Sequence, residues 1–580
     1  MDKAEVAAIL AEIATLLELQ GENPFRARAY STASRAISQL ETNLADIIAD
    51  DTLSEVPGIG EGMCEKITVL VTTGSLPYYE ELKAKTPAGL LQMLRLPGLG
   101  PKKIKVLFDD MGIDTIEKLK AAAEAGTIAK HKGFGAKTQE NILHGIAFLD
   151  EVGNRVRIDQ ATAIADMLLA GVRKAPGIIR IETCGSLRRR KETVGDIDIL
   201  VSADSAGPII ERFVTLPQVQ RIAGQGETKA SVTVEGFDDD SQRVMMNADL
   251  RVVRDDQFAF ALNYFTGSKE HNIALRQRAI ERGLKLNEYE LAGPKKRVKC
   301  MEEEDLYRAL DLDYIPPELR ESTGEIEAAE THALPELLEL KHLHGTFHCH
   351  TDWSDGKATL QQMADAAKAQ GFQYLGIADH SQSLGVANGL NPDRVRKQCK
   401  EIDALNATFK GKFHLFKGTE CDILGDGRLD YDDRVLDGFD YVVASVHTLF
   451  NQPQDEMTAR IVRAVSHPKV TMLGHATGRL LLRREAYHVD LEAVLQAAAK
   501  HKTMIEINAN PYRLDLDWVH CKRARQLGVQ IVINPDAHST GEFANMRYGV
   551  DVARRGWLGK EHIFNTKTLA QVAKAFEKGK

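Results

Sequence analysis

Three patterns follow one another along the 580 residues and predict a multidomain chain with a helical N-terminal region, an α+β domain and a C-terminal barrel of seven βα units. Apolar positions recur at helical spacing up to about residue 150. Alternating strand patterns begin at Arg180, and beyond Lys341 seven apolar runs are separated by helical segments rich in Ala, Arg and Lys. The length alone requires several cores. A hydrophobic content of 43% and a charged content of 27% exclude a disordered chain, and no apolar run approaches the ~20 residues of a membrane helix. MDKAEVAAIL reads as an amphipathic helix start rather than a secretory signal, so a cytoplasmic protein is expected. A monomer is expected as well. The seven cysteines are scattered without CxxC spacing and read as reduced thiols, neither a disulfide framework nor a zinc ribbon. The net charge of −9 is dominated by residues 301–340, with 13 acidic and 2 basic side chains, so it says little about a nucleic-acid partner.

In the helical region Val6, Ile9, Leu10, Ile13, Leu16 and Leu17 form one apolar stripe. Three short glycine loops, carrying Gly58 and Gly60, Gly98 and Gly100, and Gly133 and Gly135, each precede a polar, Lys-containing helix start. Their spacing of about 40 residues is a weak internal repeat. A turn with glycine at alternate positions lets backbone N–H groups reach a DNA phosphate without reading sequence. A single such loop would equally mark an ordinary helix end. Two units are expected here, residues 1–90 and 91–150.

The α+β domain, residues 151–320, opens on the strands IETCGSL, GDIDILVS, SVTVEGF and RVMMNADLRVV. Asp196 and Asp198 are two apart on an apolar strand and share a face, and Asp249 supplies a third carboxylate from another strand. Three such groups in a cleft suit Mg²⁺ or Mn²⁺, which activate an attacking hydroxyl and stabilise a pyrophosphate leaving group. Alone, the DxD would be read as a solvated strand end. Upstream, Gly185, Ser186 and Arg189 offer N–H groups, a hydroxyl and a guanidinium to a polyphosphate.

Residues 321–340, acidic and proline-punctuated, read as an exposed linker, with a solvated helix as the alternative for GEIEAAE. Beyond them, residues 341–575 hold the runs GTFHCH, QYLGIADH, FHLFKGTE, DYVVASVH, VTMLGHA, TMIEINA and QIVINPDAH. Parallel strands with crossover helices put catalytic groups at the C-terminal strand ends. There stand His348, His350, Asp355, His380, Glu420, His447, His475, Asp536 and His538. These donors suit Mn, Zn or Fe, and three ions could share the nine residues. Cys349 points away from the face that His348 and His350 share, and Glu506 and Asn508 are candidates to support the ligands. Such metals activate water against phosphate esters. His342, His344, His414, His467, His488, His501 and His520 lack this placement and read as structural or surface residues.

The order HxH…D…H…E…H…H…DxH from His348 to His538 resembles the PHP (polymerase and histidinol phosphatase) domain, which implies a three-metal phosphoesterase or nuclease site, often supported by manganese. GSLRRRKETVGDIDIL, ADLRVV, YFTGSKEHNIALRQRAIERGLKLNEYEL and YIPPELRE resemble family X DNA polymerases of the polymerase beta type, across residues 1–320. That resemblance implies helix-hairpin-helix elements around the glycine loops, a nucleotidyltransferase palm, and catalytic metal-binding roles for Asp196, Asp198 and Asp249. It places Gly185, Ser186, Arg189 and Gly195 at the triphosphate, Tyr264, Phe265 and Gly267 against the nucleotide sugar, and Asn272 at its base. Arg276 and Lys229 fall at DNA-facing positions. Lys66 falls where relatives keep the Schiff-base lysine of an abasic-site lyase. Gly62, however, stands where those relatives carry a phosphate-binding lysine, and an exposed helix lysine is the alternative reading of Lys66. The resemblance implies a nucleoid-associated, gap-filling repair polymerase acting on gapped or primed DNA and dNTPs. Its second site is then a 3′–5′ exonuclease, or an abasic-site or 3′-end phosphoesterase. The alternative is a nuclease or phosphatase whose polymerase half only binds DNA.

Overall fold

The computed structural model describes residues 3–578 except 39, 41–43, 51, 95, 97–98, 154, 238–242 and 295–296. Its described residues up to 152 are helices and turns, packed around two separate cores. The first gathers Leu10, Ile13 and Leu17 of α1 (Lys3–Gln20) with Ile67 and Leu70 of α2 (Glu61–Thr73). The second gathers Ile104 and Leu107 of α3 (Pro101–Met111) with Ile142 and Ile146 of α4 (Ala136–Val152). Helices α2, α3 and α4 each start just after a glycine loop, as the repeat predicts.

The α+β domain is built on a sheet of β1 (Ile178–Thr183), β2 (Asp196–Ala203), β3 (Val219–Gln225), β4 (Lys229–Phe237) and β5 (Arg243–Val253), in the order β1-β2-β5-β4-β3. Only β2 and β5 run parallel, and their register sets Asp198 directly beside Asp249. One face is apolar and covered by α5 (Ile158–Val172), whose Ile164 and Leu168 join Ile197, Ile199 and Val201 in the core. This alternation turns the aspartates to the other face. Short α6 (Gly185–Arg188), then α7 (Phe258–Thr266) and α8 (Lys269–Glu281), wall that face.

The expected exposed linker is exposed only in part, and several of its side chains pack into the fold. Within it α9 (Glu325–Glu330) buries Glu325, whose carboxylate accepts from the N–H groups of Ser322 and Thr323 and pairs with buried His271 at 2.8 Å. Ala329 and Leu337 join the core that holds Tyr307 and Leu319, and Trp557 of the C-terminal domain enters the same core. Charge counting missed this because each buried carboxylate there has a specific partner.

The seven C-terminal runs form seven parallel strands in chain order: β6 (Gly345–Thr346), β7 (Tyr374–Ile377), β8 (His414–Asp422), β9 (Tyr441–Ser445), β10 (Met472–Leu473), β11 (Met504–Asn508) and β12 (Ile531–Asn534). A parallel bridge between Cys349 and Ala537 joins the first and last, closing a barrel at its C-terminal end. The opposite end is filled by Phe347, Tyr374, Phe416 and Tyr441, capped by Phe564 and Phe576. With one mouth plugged by aromatic rings, only the other is free to hold a site.

Candidate active sites in the sheet cleft and at the barrel mouth

Asp196, Asp198 and Asp249 converge on the open face of the sheet. Burial raises the Asp198 carboxyl to about 7, and the charges of Asp196 and Asp249 push it the same way. That is the signature of acidic groups gathered for a cation. Lys229 sets its ammonium 2.6 Å from Asp249 Oδ2. Thus this predicted DNA-facing lysine sits within reach of the acidic cluster. Gly185 has φ +61°, and a Cβ there would lie 2.4 Å from Asp198 Oδ2. No other residue lets the α6 turn approach the carboxylates so closely.

A cleft of about 720 Å³ runs from the aspartates to α8. Gly185, Ser186, Arg189, Gly195, Tyr264, Phe265, Gly267, Asn272 and Arg276, all singled out in the sequence, line it together with Asp196 and Asp198. Asp249 and Lys229 line an adjoining recess with Asp198. Tyr264 and Phe265 meet edge to face at 5.2 Å, and Asn272 donates to the Tyr264 carbonyl at 2.7 Å, pinning the end of α7 to α8. Sequence reasoning missed Arg155, Lys191 and Lys269, which also line the cleft. Their only signal is a basic character shared with many surface residues.

The glycines lie apart from this cleft, on exposed loops. Gly58 and Gly133 have the same φ of +93°, while Gly60, Gly100 and Gly135 face solvent. Ile59 and Leu99 anchor their loops inward, leaving the backbone outward. Gly98 lies outside the described residues. Lys66 is half-buried, donates to the Gly62 carbonyl of its own helix at 3.0 Å and sits 5.6 Å above the Tyr30 ring.

At the barrel mouth the predicted ligands meet. Three overlapping groups have donor atoms within 4.8 Å of one another: His350, Asp355, His380 and His538; His348, His350 and Asp536; and His380, Glu420 and His447. His475 joins them through Nε2, 2.9 Å from Glu420. His348 Nε2, His350 Nδ1, His380 Nδ1 and His475 Nδ1 are buried without a hydrogen-bond partner. Buried polar atoms left so are costly, and metal coordination would satisfy them. The residues therefore fit metal ions. Burial acts to raise the carboxyls of Glu420 and Asp536, yet the surrounding imidazoles hold both well below the usual range. Burial, with His538 and His380 nearby, lowers His350 to about 3, which leaves it the neutral imidazole a metal requires. His475 and Asp536 have positive φ values of 23° and 52°, conformations that recur where side chains are aimed for function.

Behind the ligands stands a layer of acceptors. Glu506 Oε2 takes His348 Nδ1 at 2.6 Å and Asn534 Nδ2 at 2.8 Å. Asn508 Nδ2 bridges Glu506 and Asp536, at 3.0 Å from each. Asp422, not singled out in the sequence, accepts from His447 Nδ1 and takes the Ser383 hydroxyl at 2.6 Å. Its signal was present: Glu420 and Asp422 repeat the two-residue spacing of His348 and His350 on one strand face. Arg513, also missed, lines the mouth 3.4 Å from Asp536 Oδ2 and supplies a cation suited to phosphate. Cys349 lies buried on the opposite face among Leu360 and Leu375, as its spacing predicts.

Three carboxylates gathered beside a glycine turn, joined to a barrel whose mouth gathers His, Asp and Glu groups that could hold metal ions, are the features of a nucleotidyltransferase fused to a phosphoesterase. The sequence matches the DNA polymerase beta thumb over residues 261–321, the PHP domain over 346–510, a helix-hairpin-helix domain over 1–76 and a SAM-like helix-hairpin-helix tandem over 90–146. It is 39% identical over 574 residues, covering 99% of both chains, to the DNA polymerase/3′-5′ exonuclease PolX of Bacillus subtilis (strain 168). The chain belongs to the family X DNA polymerases that carry a PHP domain. Its C-terminal part is also similar to smaller proteins. A probable phosphatase of Thermoanaerobacter sp. (strain X514) is 26% identical over 38% of this chain and 89% of its own length, and one of Caldicellulosiruptor saccharolyticus is 29% identical over 36% and 84%.

Proposed function

We propose that this enzyme is a DNA polymerase and 3′–5′ exonuclease, adding nucleotides at the three-aspartate cleft and removing them at the barrel mouth. The observation that carries the reading is the register of Asp198 against Asp249, with a polyphosphate loop opening onto the same cleft. When bound, metal ions supply charge neutralisation and an activated oxygen nucleophile at both sites.

The chain's own groups do the rest. Asp196, Asp198 and Asp249 hold Mg or Mn, and Asp249 receives the primer 3′ hydroxyl. Ser186, Arg189 and the N–H groups around Gly185 and Gly195 bind the triphosphate, while Tyr264, Phe265 and Gly267 face the sugar and Asn272 the base. The barrel ligands hold ions for which Mn, Zn and Fe all suit the donors, three ions being what the three groups support. Arg513 binds the phosphate to be cleaved. Gapped or primed DNA is held by Lys229, Arg276 and the exposed glycine loops, in repair synthesis over short gaps near the nucleoid. The probable phosphatases share the barrel alone, so a DNA-independent phosphatase is the rival reading.

Asp196→Ala with Asp198→Ala is expected to lower dNTP incorporation about a thousandfold or more and to spare degradation of a 3′ end. His348→Ala with His350→Ala is expected to do the reverse. Primer extension and end degradation on one labelled duplex measure both, and intact degradation after the histidine changes would overturn the assignment of the barrel.

A further inference from the structure

One fully buried side chain of the C-terminal domain contacts a residue that lines the polymerase cleft. Helix α10 (Met546–Arg555) starts a few residues after His538, packs on β12 and ends at Arg555, whose side chain is fully buried. Arg555 Nη1 donates to the Arg189 carbonyl at 2.7 Å and to Glu321 Oε1 at 3.1 Å. The same Oε1 accepts from Arg189 Nε at 3.0 Å, and Arg189 Nη1 donates to the Thr266 carbonyl. One carboxylate is therefore shared by two guanidiniums, of which only Arg189 lines the cleft. Arg555 Nε and Nη2 have no hydrogen-bond partner, and its guanidinium lies 5.0 Å from the Trp518 ring. An arginine buried at this cost and spending its two bonds on the Arg189–Glu321 pair calls for a reason beyond packing. Next to it, Arg190 faces Asp551 of α10 at 3.8 Å, so the whole turn after α6 rests on this helix.

We infer that Arg555 is a positioning residue for the polymerase reaction, acting from the exonuclease domain through Glu321 on Arg189. A carboxylate paired with Arg189 alone would cancel the charge that a triphosphate needs. With Arg555 drawing on the same oxygen, the three groups keep a net positive charge beside the cleft, and the bond to the Arg189 carbonyl fixes the turn that aims it. The side-chain hydrogen bonds of this trio run to one another and to the Thr266 carbonyl, so the effect is expected on nucleotide binding rather than on the barrel. The inference rests on the reading of Arg189 as a triphosphate contact.

Steady-state single-nucleotide gap filling by the full chain tests it. Arg555→Gln is expected to raise the KM for dNTP about tenfold with kcat changed less than about threefold, leaving 3′-end degradation and thermal unfolding near wild type. Glu321→Gln, which keeps an acceptor but removes the competing charge, is expected to lower that KM about threefold, and in the double variant to reverse most of the Arg555→Gln loss. A purely structural latch predicts a rise in KM for both single changes. Arg189→Ala is the reference: if it leaves KM unchanged, the reading of Arg189 fails. If it raises KM while Arg555→Gln does not, or if Glu321→Gln raises KM, the inference is overturned. Should Arg555→Gln fail to fold, the sign of the Glu321→Gln effect alone decides.

Discussion

Asp198 is a carboxyl whose value as a ligand is bought with stability. Burial and two neighbouring carboxylates raise it to about 7 from an ordinary 3.8. A folded-state pKa above the unfolded one favours folding fully below the ordinary value, and that contribution is lost as pH rises through about 7. In chelated protein the melting temperature is therefore expected to fall over this window, and metal uptake at neutral pH to release protons. Asp198→Asn is expected to flatten the dependence and to stabilise chelated protein by roughly 1–2 kcal/mol at neutral pH, allowing for solvent screening, while abolishing incorporation. Calorimetry with a chelator at several pH values measures it, and a destabilised variant would contradict the electrostatic account. Glu506 acts differently, because it holds a ligand rather than being one. Its bond to His348 Nδ1 leaves Nε2 free to coordinate. Glu506→Gln is expected to cost about 10–100-fold in end degradation, recovered in part by excess metal, with incorporation untouched. A metal titration of exonuclease rate reads this directly.

At the level of elements, β6 shows how little strand is needed when its neighbours are well packed. It spans Gly345–Thr346, yet the next residues place Phe347 into the barrel plug and His348 and His350 into the mouth. The Phe347 ring lies 5.2–5.6 Å from those of Tyr374, Tyr441, Phe564 and Phe576. Phe347→Ala is expected to cost about 3–5 kcal/mol by the cavity it leaves, visible as a lower urea midpoint, and to weaken the neighbouring metal groups with it. Phe347→Leu, which keeps most of the volume, is expected to recover more than half of that loss.

On the scale of the whole molecule, two active sites share one chain, and Arg555, Arg554 and Lys522 tie them through Glu321, Glu318 and the Thr323 carbonyl. The glycine loops, proposed to hold the DNA backbone, lie at the other extremity of the sequence. Degradation of a duplex 3′ end is thus expected to fall roughly tenfold or more between 50 and 200 mM salt, since DNA binding releases counterions. Hydrolysis of a small aryl phosphate at the same barrel is expected to change less than about twofold. Equal salt sensitivity would favour the DNA-independent phosphatase.

The residue types and their spacing determined most of both sites. A period of two put Asp196 with Asp198 and His348 with His350 on common faces, and seven apolar runs, six of them ending in or just before a donor, dictated a barrel with ligands at one mouth. These readings are local, resting on backbone geometry that any chain must obey. Tertiary structure decided what local geometry does not reach: that Asp249 stands beside Asp198, that Asp422 and Arg513 belong with the ligands, and that Glu325, Ala329 and Leu337 of the acidic stretch are buried. Arg555 lies 366 positions from Arg189, so only folding shows that they meet. A buried charge is defined by its partner, and partners far apart in sequence leave no periodicity to read.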